Sequence, residues 1–397
     1  MLFDPKIGGH HSSYLLYLIT YWCQNKLDGE LHIVTSPQFP NQHPEIINLI
    51  ENYDTIIKLI YIETHEYERW EQTSNVFRKI FLEWNIYVRY AKIIEPDYAV
   101  LMYLDNLQIP ILLGKSSPCP FSGIYFRPTF HYFKFSNYQP SWQDKLRALR
   151  QKIILFQVLK KSKFQKLLCL DFYAVDYINQ KCSNKKAIHL ADPIRIKPVN
   201  FDLLKQLKSN LKIDSNRIVF LLFGRLFPRK GIYDVLFALE SLPKEIGKKI
   251  TLLLVGEIPP DQKQRLLSLT AKIGKDNEIQ IIGNYGRIPE DEVSLYFSLS
   301  DVILAVYQNH VGMSGILLQA AGARKPVISS DYGLMGEIVR KYKMGLAIDS
   351  SNQQVLVDSL TEVVNQPELL HLDTQLLDQL LEKNDVDKFC RTIFNVN

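Results

Sequence analysis

Cysteines are few in this sequence, and their spacing excludes two classes of site. The five cysteines are scattered over 397 residues, and no two of them form a CxxC pair. A disulfide framework or a zinc site needs paired or clustered cysteines, so we expect reduced thiols and no metal site. The cysteines are Cys23, Cys119, Cys169, Cys182 and Cys390.

Long hydrophobic runs are also lacking. The longest apolar stretches, such as IVFLLFG at 218–224 and ITLLLVG at 250–256, have the length of a buried strand and are too short for a membrane-spanning helix. The first residues do not combine a basic segment, an apolar core and a small-residue cleavage site, so we expect no secretory signal. With 46% hydrophobic and 22% charged residues, the composition predicts a soluble globular protein of the cytoplasm.

The positive charge lies in one half of the chain. Residues 1–190 contain 22 Lys and Arg against 17 Asp and Glu, whereas residues 191–397 contain 25 of each, so the first half carries the whole formal charge of +5. Within it, residues 145–166 contain eight cations and no acidic residue. So local an excess indicates an anionic surface as a partner and argues against general affinity for nucleic acid.

The chain is long enough for two domains, and its second half has a regular pattern. Short apolar runs alternate there with amphipathic helical segments, which is typical of a parallel sheet covered on both faces. This predicts a doubly wound α/β domain over 192–375. The expected strands are 218–224, 250–256, 279–283, 301–307 and 326–331, with helices at about 260–273, at 289–299 and from about 314.

The first half predicts a second Rossmann-like α/β domain, over 1–191, with a less regular pattern. A hinge is expected at 191–200, where Pro193 and Pro198 punctuate the chain. A final helical segment, about 376–397, is expected to pack back onto this first domain. The expected strands are 30–36, 55–62, 98–105 and 110–115, with helices at 11–25 and 72–93.

Two cations stand in the loop after the apolar strand at 218–224, in the stretch FLLFGRLFPRKG. Arg225 follows Gly224, and Lys230 directly precedes Gly231 and the next helix. Ligands of open parallel sheets bind beyond the carboxyl ends of the strands, and an arginine fork with a lysine charge suits a diphosphate. On the residues alone, ordinary solvated surface charge is an equal alternative.

Two further loops combine glycines with a helix start. Gly8 and Gly9 precede an amphipathic helix in DPKIGGHHSSYLL, and Gly312, Ser314 and Gly315 precede ILLQAAGA. Glycines at such places let backbone N–H groups approach a phosphate or a sugar. Each loop taken singly is also compatible with a plain turn.

Taken together, these segments resemble the retaining glycosyltransferases of family 4. The resemblance rests on FGRLFPRKGIYDVLFAL, LLLVGE, LLQAAGARKPVISSDYGLMGEIV and the N-terminal GGHH loop, and it is dense over 218–350 and thin over 1–190. It implies the GT-B fold, in which two Rossmann-like doubly wound domains face each other across a cleft. It also implies retaining transfer of a sugar from a nucleotide-diphosphate sugar to a glycan, lipid-linked or other hydroxyl acceptor. No DxD-type carboxylate cluster is evident in the candidate loops, so we expect no metal or other cofactor.

The resemblance also implies roles for individual residues. Arg225 and Lys230 are expected to hold the donor diphosphate as the catalytic cations, beside Gly224. Gly8 and Gly9 are expected to approach the same phosphates from the other domain. The remaining donor-binding candidates are Met313, Ser314, Gly315, Ile316, Gln319 and His310.

Two positions depart from the family pattern, which has two glutamates eight residues apart. This sequence has Val311 and Gln319 there. An amide can still bond a ribose hydroxyl, with less strength than a carboxylate, whereas valine cannot bond a sugar. His310 is the candidate substitute, or is simply solvated. Glu337 matches a family position, as a donor ligand or as a structural residue of its helix.

The resemblance further implies a histidine of the first domain near the donor sugar. His131, in GIYFRPTFHY with Arg127 nearby, is the candidate for this catalytic position, and His10 and His11 are rivals for acceptor contacts. Two alternatives to a transferase stay open. One is a non-catalytic GT-B-like protein that binds a nucleotide or a glycan, which the loss of both glutamates favours. The other is a sugar-nucleotide epimerase, for which no acid–base set can be assembled.

The basic segment 145–166 has two interpretations. As a helix, it carries an apolar stripe among its cations. The stripe either packs on its own domain, leaving a solvated basic edge, or contacts an anionic membrane surface on the inner face of the membrane, beside a lipid-linked acceptor. Its members are Leu146, Leu149, Ile153, Phe156 and Leu159.

Overall fold

The chain folds into two compact units, each with its own parallel sheet. Unit 1 consists of Met1–Phe133, Pro140–Pro193 and Asp385–Asn397, and unit 2 consists of Lys134–Gln139 and Ile194–Asn384. Within the part of the chain that the structure describes, no helix is both long and apolar enough to cross a membrane. This computed structural model describes residues 1–397 except Ile7, Gly9, His10, 52–55, Ser136, Asn137, Gln139, Lys197, Val396 and Asn397.

Unit 1 contains a seven-stranded parallel sheet in the order β3-β2-β1-β4-β5-β6-β7. The strand order reverses between β1 and β4, which is where such sheets bind ligands. The strands are β1 (Leu2–Asp4), β2 (Leu31–Thr35), β3 (Ile57–Tyr61), β4 (Ala99–Leu101), β5 (Phe121–Tyr125), β6 (Phe164–Cys169) and β7 (Ala187–His189). The helices are α1 (His11–Gln24), α2 (Phe39–Gln42), α3 (Pro44–Glu51), α4 (Thr64–Glu71), α5 (Val76–Ile94), α6 (Gln108–Leu112), α7 (Trp142–Val158) and α8 (Phe172–Lys181).

Unit 2 contains a six-stranded parallel sheet in the order β10-β9-β8-β11-β12-β13. Its order reverses between β8 and β11. The strands are β8 (Ile218–Phe223), β9 (Ile250–Val255), β10 (Gln280–Asn284), β11 (Val302–Ala305), β12 (Val327–Ser330) and β13 (Gly345–Ile348). The helices are α9 (Phe201–Asn210), α10 (Ile232–Glu240), α11 (Lys244–Gly247), α12 (Lys263–Asp276), α13 (Val293–Leu299), α14 (Gly315–Gly322), α15 (Gly333–Lys341), α16 (Gln353–Asn365) and α17 (Thr374–Lys383).

The predicted doubly wound α/β architecture is confirmed in both units. The five strands expected between 218 and 331 correspond to β8–β12. β9 is buried at every position, and the four middle residues of β8 are buried too. Strands covered on both faces need apolar residues at consecutive positions, and the runs IVFLLF and ITLLLV supply them.

The strand expected at 110–115 is wrong. The apolar run PILLGK lies at the end of helix α6 (Gln108–Leu112), and the strand that follows β4 in the sheet is β5 (Phe121–Tyr125). Pro110 explains the difference. Proline has no N–H for a sheet ladder and is excluded from a central strand, whereas the first turn of a helix tolerates it.

The C-terminal segment divides between the two units. α17 packs against α14 within unit 2. The chain then enters unit 1, where α18 (Val386–Phe394) packs against α1. The ring centroid of Phe389 lies 4.7 Å from that of Tyr14, and Phe394 lies 5.0 Å from Trp22. The last helix of the chain is therefore part of the core around its first helix.

Candidate functional site

The carboxyl edge of the unit 2 sheet brings two of the predicted loops together. β8 and β11 are parallel neighbours, and the strand order reverses between them. The loop after β8 leads into α10, and the loop after β11 leads into α14. The backbone N–H of Gln308 in the second loop donates to the carbonyl oxygen of Arg229 in the first, at 2.8 Å. The two loops therefore form one surface at the switch point, where a ligand is expected.

Two contacts hold the Lys230 ammonium at this edge. Its Nζ donates to the carbonyl oxygen of Phe223, the last residue of β8, at 2.9 Å. Nζ also lies 5.2 Å from the ring centroid of Tyr307, within cation–π range. The single carbonyl occupies one of the three ammonium donors, and the residue is half-buried. The end of the strand thus positions the charge and leaves donors for an anion.

Two glycines make this arrangement sterically possible. Gly224 has a φ of 95°, and a Cβ there would lie 2.5 Å from Nζ of Lys230. Gly231 has a φ of 76°, and a Cβ there would lie 2.2 Å from the carbonyl oxygen of Val306. Residues with a side chain rarely adopt these φ values. A side chain at 224 would displace the ammonium, and one at 231 would push the two loops apart.

Arg225 is more exposed than Lys230. Its side chain is 66% exposed, and its Nε lies 3.5 Å from Oε2 of Glu257, which is exposed as well. The guanidinium also lies 4.8 Å from the ring centroid of Phe227. An exposed ion pair contributes about 1 kcal/mol or less, so Arg225 can exchange Glu257 for an anionic ligand at small cost.

His310, in the loop after β11, forms hydrogen bonds through both of its ring nitrogens. Nη1 of Arg229 lies 2.7 Å from Nδ1 of His310, and because a guanidinium only donates, Nδ1 is the acceptor. The ring proton is then on Nε2, which donates to the carbonyl oxygen of Met313 at 3.2 Å. The ring also lies edge-on to Tyr307, with centroids 5.4 Å apart. Both ring nitrogens therefore bind the protein, and the expected contact with a donor sugar stays a prediction.

The start of α14 offers backbone donors. Ser314 precedes the helix without capping it, because its Oγ donates to the hydroxyl of Tyr307 at 3.2 Å. The N–H groups of Gly315 and Ile316 make no hydrogen bond with any residue that the structure describes. A Cβ at Gly315 would meet no atom within 4 Å. Open space in front of such N–H groups suits an anion.

Gln319, Val311 and Glu337 differ in what they already contact. Gln319 is half-buried one turn into α14, and its side-chain amide makes no hydrogen bond with a described residue. The carbonyl oxygen of Val311 accepts from the backbone N–H of Leu334 at 3.2 Å, which joins the loop to α15. The carboxylate of Glu337 lies 2.7 Å from Nη2 of Arg340 on the same helix. The amide of Gln319 is thus available to a ligand, whereas Glu337 is paired.

His131 lies deep in unit 1, with 1% of its surface exposed. Its Nε2 lies 3.0 Å from Oδ2 of Asp171, whose other oxygen accepts two backbone N–H groups at the start of α8. Arg127, expected near it, donates its backbone N–H to Asp105 at 3.0 Å. A buried histidine on a helix-capping carboxylate is an arrangement that holds a core together. The catalytic role of His131 stays a prediction.

The carboxyl edge of the unit 1 sheet contains ionic contacts that the sequence did not reveal. Asp4 ends β1 and is fully buried, and its two carboxylate oxygens lie 2.7 and 2.9 Å from Nδ1 of His11, at the start of α1. Gly8, between them in sequence, is exposed, and a Cβ there would meet no atom within 4 Å. Gly9 and His10 lie outside the described residues.

Lys6 occupies the same edge, with its Nζ 3.4 Å from the ring centroid of Tyr103. Burial lowers the pKa of Lys6, although nearby carboxylates, Glu83 first among them, partly offset this effect. Burial raises the pKa of Glu83, and it raises the pKa of Asp105 to about 6 even though two backbone N–H groups donate to that carboxylate. Ionisable groups perturbed by burial are concentrated at functional sites, so this edge is a second candidate region.

Among the described residues, no group of three or more His, Cys, Asp or Glu side chains is arranged to hold a metal ion. The five cysteines are free thiols, four of them buried. At the unit 2 edge, the groups open to a ligand are the Lys230 and Arg225 cations and the N–H groups of Gly315 and Ile316.

The sequence is similar to known glycosyltransferases. Residues 205–372 match the model of the family described as glycosyl transferases group 1. The chain is 23% identical over 268 residues to the uncharacterized glycosyltransferase MJ1069 of Methanocaldococcus jannaschii, covering 67% of this chain and 63% of that protein. It is 24% identical over 193 residues to a trehalose synthase of Thermococcus litoralis, covering 46% of each. The alignments thus span about half to two thirds of these curated relatives.

A solved structure extends the similarity to both units. HepE of Anabaena, in complex with UDP-glucose, matches with a TM-score of 0.64 at 15% identity, covering 99% of this chain and 97% of that one. At this identity the match shows the fold, two parallel sheets with helices as described above. The chain therefore has the GT-B fold, and its residues 205–372 are similar to the glycosyl transferases group 1 family.

Proposed function

We propose that this chain is a retaining glycosyltransferase that moves a sugar from a nucleotide-diphosphate sugar to a hydroxyl group. The observation that carries the proposal is the Lys230 ammonium, which is held at the end of β8 and lies near Tyr307 of the loop after β11. Arg225 belongs to the same loop as Lys230 and forms an exposed ion pair with Glu257. The family match and the UDP-glucose complex of HepE support a nucleotide-sugar donor.

In the proposed reaction, the main contribution of the protein is positive charge around the leaving diphosphate. The bond between the anomeric carbon and the diphosphate oxygen breaks, and negative charge develops on the leaving phosphate. In the proposal, the cations of Lys230 and Arg225, with the N–H groups of Gly315 and Ile316, stabilise that charge as it develops. Removing one such donor costs on the order of a hundredfold in rate. These groups supply the stabilisation for which other enzymes use a divalent ion, so we propose a metal-independent reaction.

Retention is proposed to follow from attack on the face that the diphosphate leaves. The acceptor oxygen bonds to the anomeric carbon, and a phosphate oxygen takes the acceptor's proton. This scheme requires no protein nucleophile. It agrees with the burial of His131 against Asp171, which leaves that ring little surface for a substrate.

The proposed acceptor is a hydroxyl of a glycan or of a lipid-linked sugar, and the proposed location is the cytoplasm. A sugar acceptor is supported by the similarity to a trehalose synthase, whose name is that of a sugar-joining enzyme. The ionisable residues at the unit 1 edge, buried Asp4 and His11 and half-buried Lys6, are offered as groups that the acceptor meets.

A non-catalytic nucleotide- or glycan-binding protein is the second candidate, and Val311 is the observation that favours it. Valine cannot hydrogen-bond a donor sugar, and both ring nitrogens of the neighbouring His310 already bind the protein. In such a protein the diphosphate would still bind through Arg225 and Lys230. The two candidates therefore share a binding site and differ in turnover.

The first test measures binding of UDP, GDP and ADP to the full chain by calorimetry and thermal shift. Ligand at a hundredfold excess over its Kd stabilises the protein by about 2.7 kcal/mol, which is readily seen. Arg225→Ala and Lys230→Ala should each weaken the binding by about tenfold to a hundredfold, because each removes a charged hydrogen bond worth about 1.5–3 kcal/mol.

Matched controls are available on the same unit. Arg324, after the end of α14, pairs with Asp378 of α17, and Lys272 of α12 pairs with Glu240 of α10. Arg324→Ala and Lys272→Ala should leave nucleotide affinity unchanged. Unchanged affinity in the Arg225 and Lys230 variants as well would return those two cations to ordinary surface charge.

The second test separates the candidate functions. The full chain is incubated with nucleotide sugars and a panel of sugar acceptors, and the products are read by mass spectrometry. A new glycoside, lost in Lys230→Ala, is the expected result. Binding without transfer or hydrolysis would support the non-catalytic candidate, and an isomerised nucleotide sugar would identify an epimerase.

A further inference from the structure

Helix α7 presents an apolar row to solvent. Four large apolar side chains follow one another at steps of four, three and four residues, so they share one face of the helix. Contiguous exposed apolar surface of this kind marks an interaction site. The row consists of Trp142, Leu146, Leu149 and Ile153, which are 69%, 57%, 54% and 54% exposed.

The apolar row points away from the unit 1 core. The buried residues of α7 are Leu155 and Val158. At 3.6 residues per turn, these two positions lie on the side of the helix opposite Leu149 and Ile153. The helix therefore has one face that serves the core and a second apolar face that nothing in unit 1 covers.

Basic side chains flank the row on both sides. At the same helical spacing, Lys145 and Lys152 stand on one side of it and Arg150 on the other. The single acidic residue of the helix, Asp144, lies in the first turn, where it forms the capping box with Ser141. The exposed row thus has a basic border.

Two other cations of the basic segment already have partners. The guanidinium of Arg147 binds Asp144 at 2.8 Å, and Nζ of Lys163 donates to two backbone carbonyls, at 2.8 Å each. These two cations stabilise the folded chain through those contacts. Nζ of Lys152 also has a contact within unit 1, since it lies 5.3 Å from the ring centroid of Tyr177. Of the cations that border the row, the exposed Lys145 and Arg150 are therefore the ones placed to meet a partner together with the apolar side chains.

We propose that α7 is a docking surface for an anionic lipid bilayer. The helix lies in the plane of the interface, with its apolar row among the acyl chains and Lys145 and Arg150 against the lipid phosphates. Trp142 suits this position, because the indole ring favours the boundary between headgroups and hydrocarbon. Each cation near an anionic leaflet strengthens binding about fivefold.

The basic border of the row favours an anionic bilayer over other partners of this surface. A second copy of the chain would use the same face twice, and the two-fold axis would bring like cations together. A nucleic acid would satisfy the cations and leave the apolar row without a partner. An anionic bilayer supplies phosphates at the border and hydrocarbon at the centre.

The proposal goes beyond the proposed function and is tested without donor or acceptor. The full chain is sedimented with vesicles of phosphatidylcholine alone or with 30% phosphatidylglycerol. We expect binding to the anionic vesicles that weakens as salt rises. Leu146→Ser/Leu149→Ser and Lys145→Gln/Arg150→Gln should each weaken it at least tenfold, without altering nucleoside diphosphate affinity.

Helix α9 of unit 2 provides a matched control. Phe201 and Leu203 are 73% and 48% exposed there, and no residue of α9 is buried. Phe201→Ser/Leu203→Ser and Lys205→Gln/Lys208→Gln remove the same kinds of group from another exposed helix and should leave vesicle binding intact. Thermal unfolding followed by circular dichroism verifies that all four variants fold.

Tryptophan fluorescence identifies the helix that contacts lipid. Trp22, Trp70 and Trp84 are 9%, 5% and 1% exposed, so among the four tryptophans Trp142 is the one placed to meet lipid. Brominated anionic vesicles should quench its emission, and Trp142→Phe should abolish the quenching while most of the binding remains.

Three results would overturn the proposal. Equal binding to neutral and anionic vesicles would remove the charge argument, and quenching that survives Trp142→Phe would place the contact elsewhere. A concentration-dependent dimer that the α7 variants abolish, without vesicle binding, would assign the row to a second copy of the chain. The proposed sugar transfer stands or falls separately, because it is measured on soluble substrates.

Discussion

Gln319 is the single residue at which recognition of the donor can be tested most directly. It stands one turn into α14, behind the N–H groups that face open space, and its amide has no partner among the described residues. The family resemblance implies a ribose contact here through a glutamate. An amide can make the same contact with a neutral hydrogen bond in place of a charged one.

Substitution of Gln319 is expected to change nucleotide affinity in both directions. Gln319→Glu should preserve the affinity or raise it a few-fold, because a charged acceptor bonds a hydroxyl more strongly. Gln319→Leu should lower it by about fivefold to tenfold, the equivalent of one neutral hydrogen bond. Calorimetric titration with the tightest nucleoside diphosphate measures both, and Gln353→Leu, on the exposed start of α16, is the control. Equal affinities for all three Gln319 forms would mean that the ribose is held elsewhere.

The sequence alone could identify those site residues whose charge is uncommon at their position in the fold. Arg225 and Lys230 stand out because two cations directly after a buried strand are uncommon. Tyr307, which lies beside the Lys230 ammonium, could not be found this way, since an aromatic residue after an apolar strand is ordinary. The pair Asp4 and His11 was hidden for another reason: neither residue type is rare, and only the folded chain brings their side chains to 2.7 Å.

At the scale of elements, the C-terminus of α5 stores backbone strain in an accessible place. Glu95 ends the helix with φ 48° and ψ 51°, and its N–H donates to the carbonyl oxygen of Ala91. This left-handed conformation costs a residue with a side chain about 1–2 kcal/mol. Its negative charge also faces the negative end of the helix dipole.

Glu95→Gly is therefore expected to stabilise unit 1 by about 1 kcal/mol, after the larger entropy loss of glycine is subtracted. Chemical denaturation measures the change. Glu95→Ala keeps the Cβ and should give less than half of the gain, and Glu95→Gln isolates the charge. A Gly variant no more stable than the Ala variant would show that the backbone is unstrained at this position.

The short apolar runs of the second half of the chain were predicted correctly as strands, whereas the run at 110–115 was not. β8 and β9 are consecutive apolar residues bounded by glycine, so their burial in a parallel sheet followed from the sequence. The run at 110–115 has a similar composition but belongs to the end of α6, and Pro110 was the signal against a strand. The sequence predicted an apolar stripe on α7. It could not predict whether the stripe is exposed, because that depends on which face of the helix packs against the core.

At the scale of the whole molecule, the last helix of the chain stabilises the unit that contains the first residues. After α17 the chain leaves unit 2, and α18 completes the core around α1. Phe389 is fully buried there, against Tyr14. In unit 2, Phe297 is equally buried and contacts Phe223. The two phenylalanines are thus matched probes, one in each unit.

Phe389→Ala should destabilise unit 1 by about 3–5 kcal/mol, because it deletes a buried ring and leaves a cavity. Hydrogen exchange read by mass spectrometry should show faster exchange in peptides of β1–β7 and α1, with peptides of β8–β13 unchanged. Nucleoside diphosphate binding should persist, since Arg225 and Lys230 are held within unit 2. Phe297→Ala should give the reverse pattern, with loss of nucleotide binding. Equal loss of protection in both units from either variant would show that the two sheets unfold as one cooperative body.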